Sequence, residues 1–309
     1  MIEIKNLTKS FGPGRGIHGL SMSVPSKSII GFIGPNGAGK STTIKLLCGL
    51  LKPDSGTCAI NGIDVNPKNY DKIKRVVGYM PDIFGVYDKM SVWEYLDFFG
   101  AAYKIPTSAR KTRVEQVLDI VHCSHMIDFQ VSSLSRGMRQ KIGLAKTLLH
   151  DPTVLILDEP AGGLDPQARI EMREIIVDLR ARGKTIMLSS HILPELGNIC
   201  DLVAIVAQAE LKVCGTVEEV SASLKEKMKY SLVIDGDATA AVELLKQHPT
   251  VEDITQSLSE ILFTFTANRN EIPDLVSWLV KQAVRITSIS EEEIDLETVF
   301  MKVTAVKGN

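Results

Sequence analysis

Gly34, Pro35, Asn36, Gly37, Ala38, Gly39, Lys40 and Ser41 have the types and spacing to hold a chain of phosphates, because they fit G-x-x-x-x-G-K-[ST]. The glycines let the backbone turn tightly enough for its N–H groups to point inward at phosphate oxygens. Lys40 has the length and charge to reach β- and γ-phosphates, and the Ser41 hydroxyl can ligate Mg²⁺. A helical run follows from Thr42 to Leu50, and its N-terminus adds favourable partial charge. A second group of chemical residues closes the apolar run Val154 to Leu157, namely Asp158 and Glu159. A strand end beside a phosphate loop is where a metal ion and an attacking water must be held. Asp158 suits the metal side and Glu159 the activation of water, a role typically worth about 10²–10⁴-fold in rate.

These groups need rigid elements to hold them. Ser28 to Ile33, Val154 to Leu157, Thr185 to Ser189 and Leu202 to Val206 are short apolar runs. Continuous rather than alternating apolar residues suit strands buried on both faces. Between them lie helices: in Gln167 to Arg182, Met172, Ile175, Ile176 and Leu179 recur at helical spacing, with Gly183 as a stop. Strand–helix alternation predicts an α/β layer with a largely parallel sheet. The tail reads differently, with strands at 230–234, 251–255, 261–266 and 285–289 and helices at 238–248 and 273–283. That order, β-α-β-β-α-β, is ferredoxin-like. A closing helix is expected over Leu296 to Val303. The charged connector at 216–229 sets the expected domains at 1–217 and 218–309, in keeping with 309 residues.

Composition narrows the class. Lys plus Arg is 35 and Asp plus Glu is 37, a formal net charge of −2, which argues against a surface built wholly for nucleic acid. The longest charge-free stretch, Ser28 to Gly39, has 12 residues, against the roughly 20 apolar residues of a membrane span. The N-terminus carries Glu3, Lys5 and Lys9 and no apolar core, so it does not read as a signal peptide. Five cysteines are scattered and never spaced C-x-x-C, as expected of thiols in a reducing cytoplasm.

A third motif narrows the family. Leu134, Ser135, Arg136, Gly137, Met138, Arg139 and Gln140 end 18 residues before Asp158. This stretch resembles the signature sequence of ATP-binding cassette (ABC) ATPases, commonly LSGGQ. Arg136 and Met138 depart from that pattern in the manner of the LSxGM variant of ABC-2-type exporter subunits. The serine and glycine open a helix and would offer a hydroxyl, N–H groups and a dipole to a γ-phosphate. The resemblance spans about residues 2–215 and extends to four further segments. Leu164-Asp165 resembles the D-loop, whose aspartate crosses a dimer interface. Ser189-Ser190-His191 resembles the segment with the switch histidine that contacts the γ-phosphate. Phe11 resembles the aromatic that stacks on adenine. Gly78 to Asp82 resembles the Q-loop, with Asp82 where a glutamine normally senses Mg²⁺ and the membrane partner. In the tail, Asp295 to Met301 resembles the closing segment of ABC-2-type subunits with an accessory domain.

The resemblance implies a P-loop ABC nucleotide-binding domain with a helical insert at about 83–150, followed by a small α+β domain. It implies ATP and Mg²⁺ as cofactors, Glu159 and His191 in catalysis, and Ser41, Asp82 and Asp158 toward the metal. It also implies a head-to-tail dimer, with a second copy of this chain preferred to a different ATPase subunit. In that dimer Ser135, Gly137, Met138 and Asp165 meet the nucleotide held by the other chain. The partner would be an integral-membrane permease subunit, docked near Asp82 to Phe99, where Phe84, Val86, Tyr87, Val92, Trp93, Tyr95 and Phe98 supply apolar surface. The expected location is the cytoplasm, peripheral on the inner face of the cell membrane. The rival reading is a soluble ABC ATPase working on nucleic acid or ribosomes. One phosphate loop and no heptad run weigh against it, and no nucleic-acid partner is expected.

Overall fold

The computed structural model describes residues 1–12, 14–83, 85, 87, 89–190, 199–217, 219–220 and 228–291. The chain divides into two compact units, with the division between Val217 and Glu218.

The first unit contains β1 (Ile2–Ser10), β2 (Gly16–Val24), β3 (Ile29–Ile33), α1 (Lys40–Leu47), β4 (Ser55–Ile60), β5 (Ile63–Asp64), α2 (Tyr70–Val76) and β6 (Val77–Met80). It continues with α3 (Val92–Ala102), α4 (Thr107–Ile120), α5 (Arg136–Leu148), β7 (Val154–Asp158), α6 (Pro166–Ala181), β8 (Thr185–Ser190), β9 (Leu202–Ala207) and β10 (Glu210–Thr216). Six strands form one sheet in the order β10-β9-β3-β8-β7-β6. All neighbours in it are parallel except the edge strand β10. Every residue of β3, β7 and β8 is buried, as their continuous apolar runs predict. A smaller antiparallel sheet has the order β2-β1-β4-β5. One core cluster joins Ile2, Leu7, Leu20 and Val24 of the small sheet to Ile30, Phe32 and Val206 of the large one, with Ile44 and Leu47 of α1.

The parallel register positions the site. Ile33 at the end of β3 pairs with Ser190 of β8, and Asp158 at the end of β7 pairs with Ser189. Three strand ends therefore open on one edge, where ligands of parallel sheets bind. The residues read as 78–82 of a loop are partly strand: Gly78, Tyr79 and Met80 belong to β6, and Pro81 and Asp82 follow it. Glycine is required at 78, since a Cβ there would lie 2.8 Å from Pro152 Cγ and 2.9 Å from Thr147 Cγ2 of α5.

α3 starts with a capping box, in which Ser91 accepts from the Glu94 N–H while the Glu94 carboxylate accepts from the Ser91 N–H. Val92 and Tyr95 of this helix are fully buried, so they are core and not docking surface. Trp93 is half-buried, Tyr87 and Phe98 expose their rings, and Phe84 and Val86 lie outside the described residues.

The second unit contains β11 (Met228–Ile234), α7 (Thr239–Gln247), β12 (Val251–Ser257), β13 (Glu260–Phe265), α8 (Ile272–Lys281) and β14 (Ile286–Glu291). The strands form an antiparallel sheet in the order β12-β13-β11-β14. Tyr230, Leu232, Phe263 and Phe265 form its core with Leu245, Leu275 and Leu279 of the two helices. The helix expected over 296–303 and the closing segment 295–301 lie outside the described residues.

Candidate functional site

The loop between β3 and α1 is shaped by its glycines. Gly37 and Gly39 have φ of 83° and 107°, the left-handed region that favours glycine. Gly39 also lacks room for a side chain, because a Cβ would lie 2.4 Å from Gly16 O and 2.6 Å from Ile17 Cγ2. Gly39 stands at the N-cap of α1, and no side chain caps that helix. The first N–H groups of α1 are thus left to a ligand.

Lys40, the first residue of α1, is only 7% exposed. Its ammonium donates to Gly34 O at 2.6 Å and Pro35 O at 3.4 Å and lies 3.8 Å from Glu159 Oε1. Burial pulls its pKa below the ordinary lysine value, opposed by the charges of Glu159 and Asp158.

The facing wall is acidic. Asp158 is 6% exposed, and its Oδ1 accepts from the buried Ser189 hydroxyl at 2.6 Å. That hydroxyl in turn accepts from the Glu159 N–H at 3.0 Å. Glu159 has φ of 49°, in the left-handed region that costs a non-glycine residue about 1–2 kcal/mol. The bond to Ser189 and the bond from Gly162 N–H to Glu159 O, at 3.0 Å, hold it there. Strain of this kind gathers at functional sites.

Between these walls lies an open cavity of about 340 Å³. It is lined by Phe11, Pro35, Asn36, Gly37, Gly39, Lys40, Ser41, Thr42, Asp82, Asp158 and Glu159, which the sequence had singled out, and by Arg15 and Gly16, which it had not. Phe11 is 49% exposed, as a stacking platform must be. Gly34 and Ala38 stand behind the cavity: Gly34 O accepts from Lys40, and the buried Ala38 donates its N–H to Pro35 O at 3.1 Å. Arg15 follows Gly12 and Gly14 in the turn after β1, and its N–H bonds back to Gly12 O at 3.1 Å. Ser189 was also missed as a site residue, and only the β7–β8 register reveals it.

The remaining residues gather elsewhere on the same unit. Ser135 caps α5 by accepting from the Met138 N–H at 3.3 Å, and Asp165 caps α6 by accepting from the Ala168 N–H at 2.9 Å. Both caps are exposed. The two helix starts are packed together, since a Cβ on Gly137 would lie 2.9 Å from Ala168 Cβ. Ser135, Gly137, Met138 and Asp165 are not among the residues lining the cavity of their own chain. His191 lies outside the described residues.

A cationic, N–H-rich wall opposite three carboxylates suits a polyphosphate carrying a divalent metal. Among the described residues no three His, Cys, Asp or Glu side chains cluster to hold a metal by themselves. A hard cation would therefore share the oxygens of Ser41 and Asp158 with phosphate and water, as Mg²⁺ commonly does.

A family profile described as ABC transporter matches residues 17–162. The bacitracin transport ATP-binding protein of Bacillus licheniformis is 35% identical over 305 residues, covering 98% of this chain and 96% of that one. The linearmycin resistance ATP-binding protein of Bacillus subtilis is 29% identical over 306 residues, covering 98% of both. The Nod factor export ATP-binding protein I of Burkholderia lata is 38% identical over 207 residues, 67% of this chain and 68% of that one. Among solved structures, an ATP-binding subunit of an ABC transporter superposes with a TM-score of 0.65 at 29% identity, covering 72% of this chain and 92% of that one. The fold and the site define a P-loop ABC nucleotide-binding domain. The chain belongs to the ATP-binding proteins of ABC transporters, a family of ATPases.

Proposed function

We propose that this chain hydrolyses ATP and thereby drives export through a separate integral-membrane permease subunit of the ABC-2 type. The observation that carries this reading is the cavity whose two walls are the loop of Lys40 and the strand end of Asp158 and Glu159. The loop N–H groups and Lys40 bind the phosphates, and Phe11 stacks on the adenine. Ser41, Asp158 and Asp82 would hold Mg²⁺, which when bound would supply charge neutralisation on the phosphate oxygens. Glu159 takes a proton from the attacking water as its oxygen bonds to the γ-phosphorus and the bond to the ADP oxygen breaks. His191 contacts the γ-phosphate.

Two copies close head to tail over two ATP molecules. Ser135 and Asp165 support this arrangement, because both are exposed and neither lines the cavity of its own chain, which leaves them to serve the nucleotide of the other. The helical insert at 83–150 passes closure to the permease, which docks near the exposed rings of Tyr87 and Phe98. The second unit is a ferredoxin-like accessory domain, supported by its strand order. No helix among the described residues is long and apolar enough to cross a membrane, and we place the chain on the inner face of the cell membrane beside its permease. Work on nucleic acid or ribosomes is disfavoured, since the relatives that match 98% of this chain include proteins named for bacitracin transport and linearmycin resistance.

The test is Glu159→Gln, with membrane co-purification of the wild-type chain. The variant is expected to bind ATP, lose nearly all turnover and run as an ATP-dependent dimer. Wild-type turnover in the variant, or a chain that purifies with ribosomes and not with membranes, overturns the reading.

A further inference from the structure

We propose that Arg136 is a positioning residue that ties the Ser135 cap to the turn carrying Glu159, and so couples the two nucleotide sites of a dimer. Arg136 is the first residue of α5, directly after the Ser135 cap, and it is exposed. Among the described residues its guanidinium forms no ion pair, yet it is not a solvated side chain without contacts. A Cβ on Gly163 would lie 2.5 Å from Arg136 Cζ and 2.7 Å from each Nη, so the guanidinium rests directly on the Gly163 backbone.

Gly163 belongs to the tight turn that begins at Glu159. The Gly162 N–H closes that turn on Glu159 O at 3.0 Å, and a Cβ on Gly162 would lie 3.1 Å from the same oxygen. Glu159 itself sits at φ of 49° and is tied by its N–H to Ser189 and by its carbonyl to the Gly162 N–H, so a displacement of the turn is felt at Glu159. The far end of the turn is Asp165, which caps α6, and α6 touches α5 again at Ala168 and Gly137. The start of α5 thus bears on the Glu159 turn at Gly163 and on α6 at Ala168, and the first of these contacts is made by a side chain where the family signature has glycine. A planar guanidinium suits this contact, because it can lie flat on a peptide while an ammonium cannot.

The consequence rests on the sandwich reading above. In that dimer Ser135 meets the partner's nucleotide while Glu159 serves the chain's own. Movement of the Ser135 loop on binding the partner's ATP is transmitted through Arg136 to the water-activating carboxylate of the same chain. Misplacing a catalytic group by about 1 Å can cost on the order of 100-fold in rate. Arg136 therefore governs turnover and cooperativity in the dimer and leaves the monomer's affinity for ATP alone.

The experiment compares the full-length wild-type chain with Arg136→Ala, Arg136→Lys and Glu159→Gln. It measures ATP binding without turnover, kcat against ATP concentration with its Hill coefficient, and thermal unfolding. Arg136→Ala and Arg136→Lys are expected to fold and bind ATP as wild type does, to lose roughly tenfold or more in kcat, and to drop from a Hill coefficient above 1 to about 1. Wild-type kcat and Hill coefficient in both variants overturn the inference, and so does a wild-type Hill coefficient of 1. A loss confined to ATP affinity overturns it too, because Arg136 would then act on its own chain's nucleotide. Glu159→Gln separates the two levels: if it still turns over, the sandwich reading fails, and if it is inactive while the Arg136 variants behave as wild type, the inference alone fails.

Discussion

The Ser189 hydroxyl donates a 2.6 Å hydrogen bond to the buried Asp158 carboxylate. The same hydroxyl accepts from the Glu159 N–H, so one side chain on β8 fixes both acidic residues at the end of β7. Ser189→Ala removes both bonds and leaves a buried carboxylate short of a donor. The expected cost is about 1–3 kcal/mol of stability, with a larger fall in kcat than in ATP affinity because Glu159 loses its anchor. Urea unfolding with steady-state ATPase kinetics checks this. Unchanged kcat would show that Glu159 is held by its turn alone.

Lys40 gives a prediction about pH. Burial lowers its pKa in the folded chain below the unfolded value of 10.5. Between the folded pKa and 10.5 the unfolded chain binds more protons, so wild-type stability rises with pH relative to a variant that cannot titrate. At lower pH both states are charged, and burial of the ammonium carries its full cost. The stability of nucleotide-free wild type minus that of Lys40→Met is thus expected to increase as pH climbs toward 10.5. A flat difference from pH 7 to 10.5 would contradict burial as the dominant influence. The same variant is expected to bind labelled ATP weakly, since the loop loses its only cation.

Two glycines of the loop should respond differently. Gly37 has φ of 83° but open space where a Cβ would stand, so Gly37→Ala meets backbone strain alone, about 1 kcal/mol. Gly39→Ala, at φ of 107°, lies further from the left-handed well and also puts a Cβ 2.4 Å from Gly16 O. It is expected to cost several times as much and to displace the N-terminus of α1 from the phosphates. Denaturant midpoints and ATP affinity of the pair check this, and equal effects would show that Gly16 yields easily.

How much of this was visible in the sequence follows from burial. β3, β7, β8 and β9 are continuous apolar runs sandwiched on both faces, and composition alone marks them. β1 escaped notice, because its pairing register shifts at Ile4, Leu7 and Lys9 and Asn6 has φ of 47°, which breaks any simple alternation. β6 follows α2 without a turn, so nothing in Val77–Met80 separates strand from loop. The phosphate loop, Asp158 and Glu159 were readable because contiguous residues carry them. Arg15 and Ser189 enter the site only through folding. One is brought by a glycine-rich turn that bonds back on itself, and the other by its register against Asp158.

Ser135 provides the strictest test of the shared site. Its hydroxyl caps α5 within its own chain, so Ser135→Ala would mix the loss of a helix cap, about 1 kcal/mol, with any loss of function. Ser135→Asp separates the two. Aspartate is as good a cap as serine, so the monomer is expected to keep its melting temperature and, with its own loop intact, its affinity for ATP. The added carboxylate would oppose the γ-phosphate of the other chain, so closure and turnover are both expected to fail. Mixing adds a second arm when two copies of this chain form the dimer. A Lys40→Ala chain combined with a Ser135→Asp chain puts both lesions in one composite site and leaves the other site whole. Part of the ATPase activity should return in the mixture, although each variant alone is inactive. Loss of ATP binding by the Ser135→Asp monomer would show that Ser135 serves its own chain, and the sandwich would have to be abandoned; failure of closure to be restored in a mixture shown to form heterodimers, read by ATP-dependent dimer formation, would show the same.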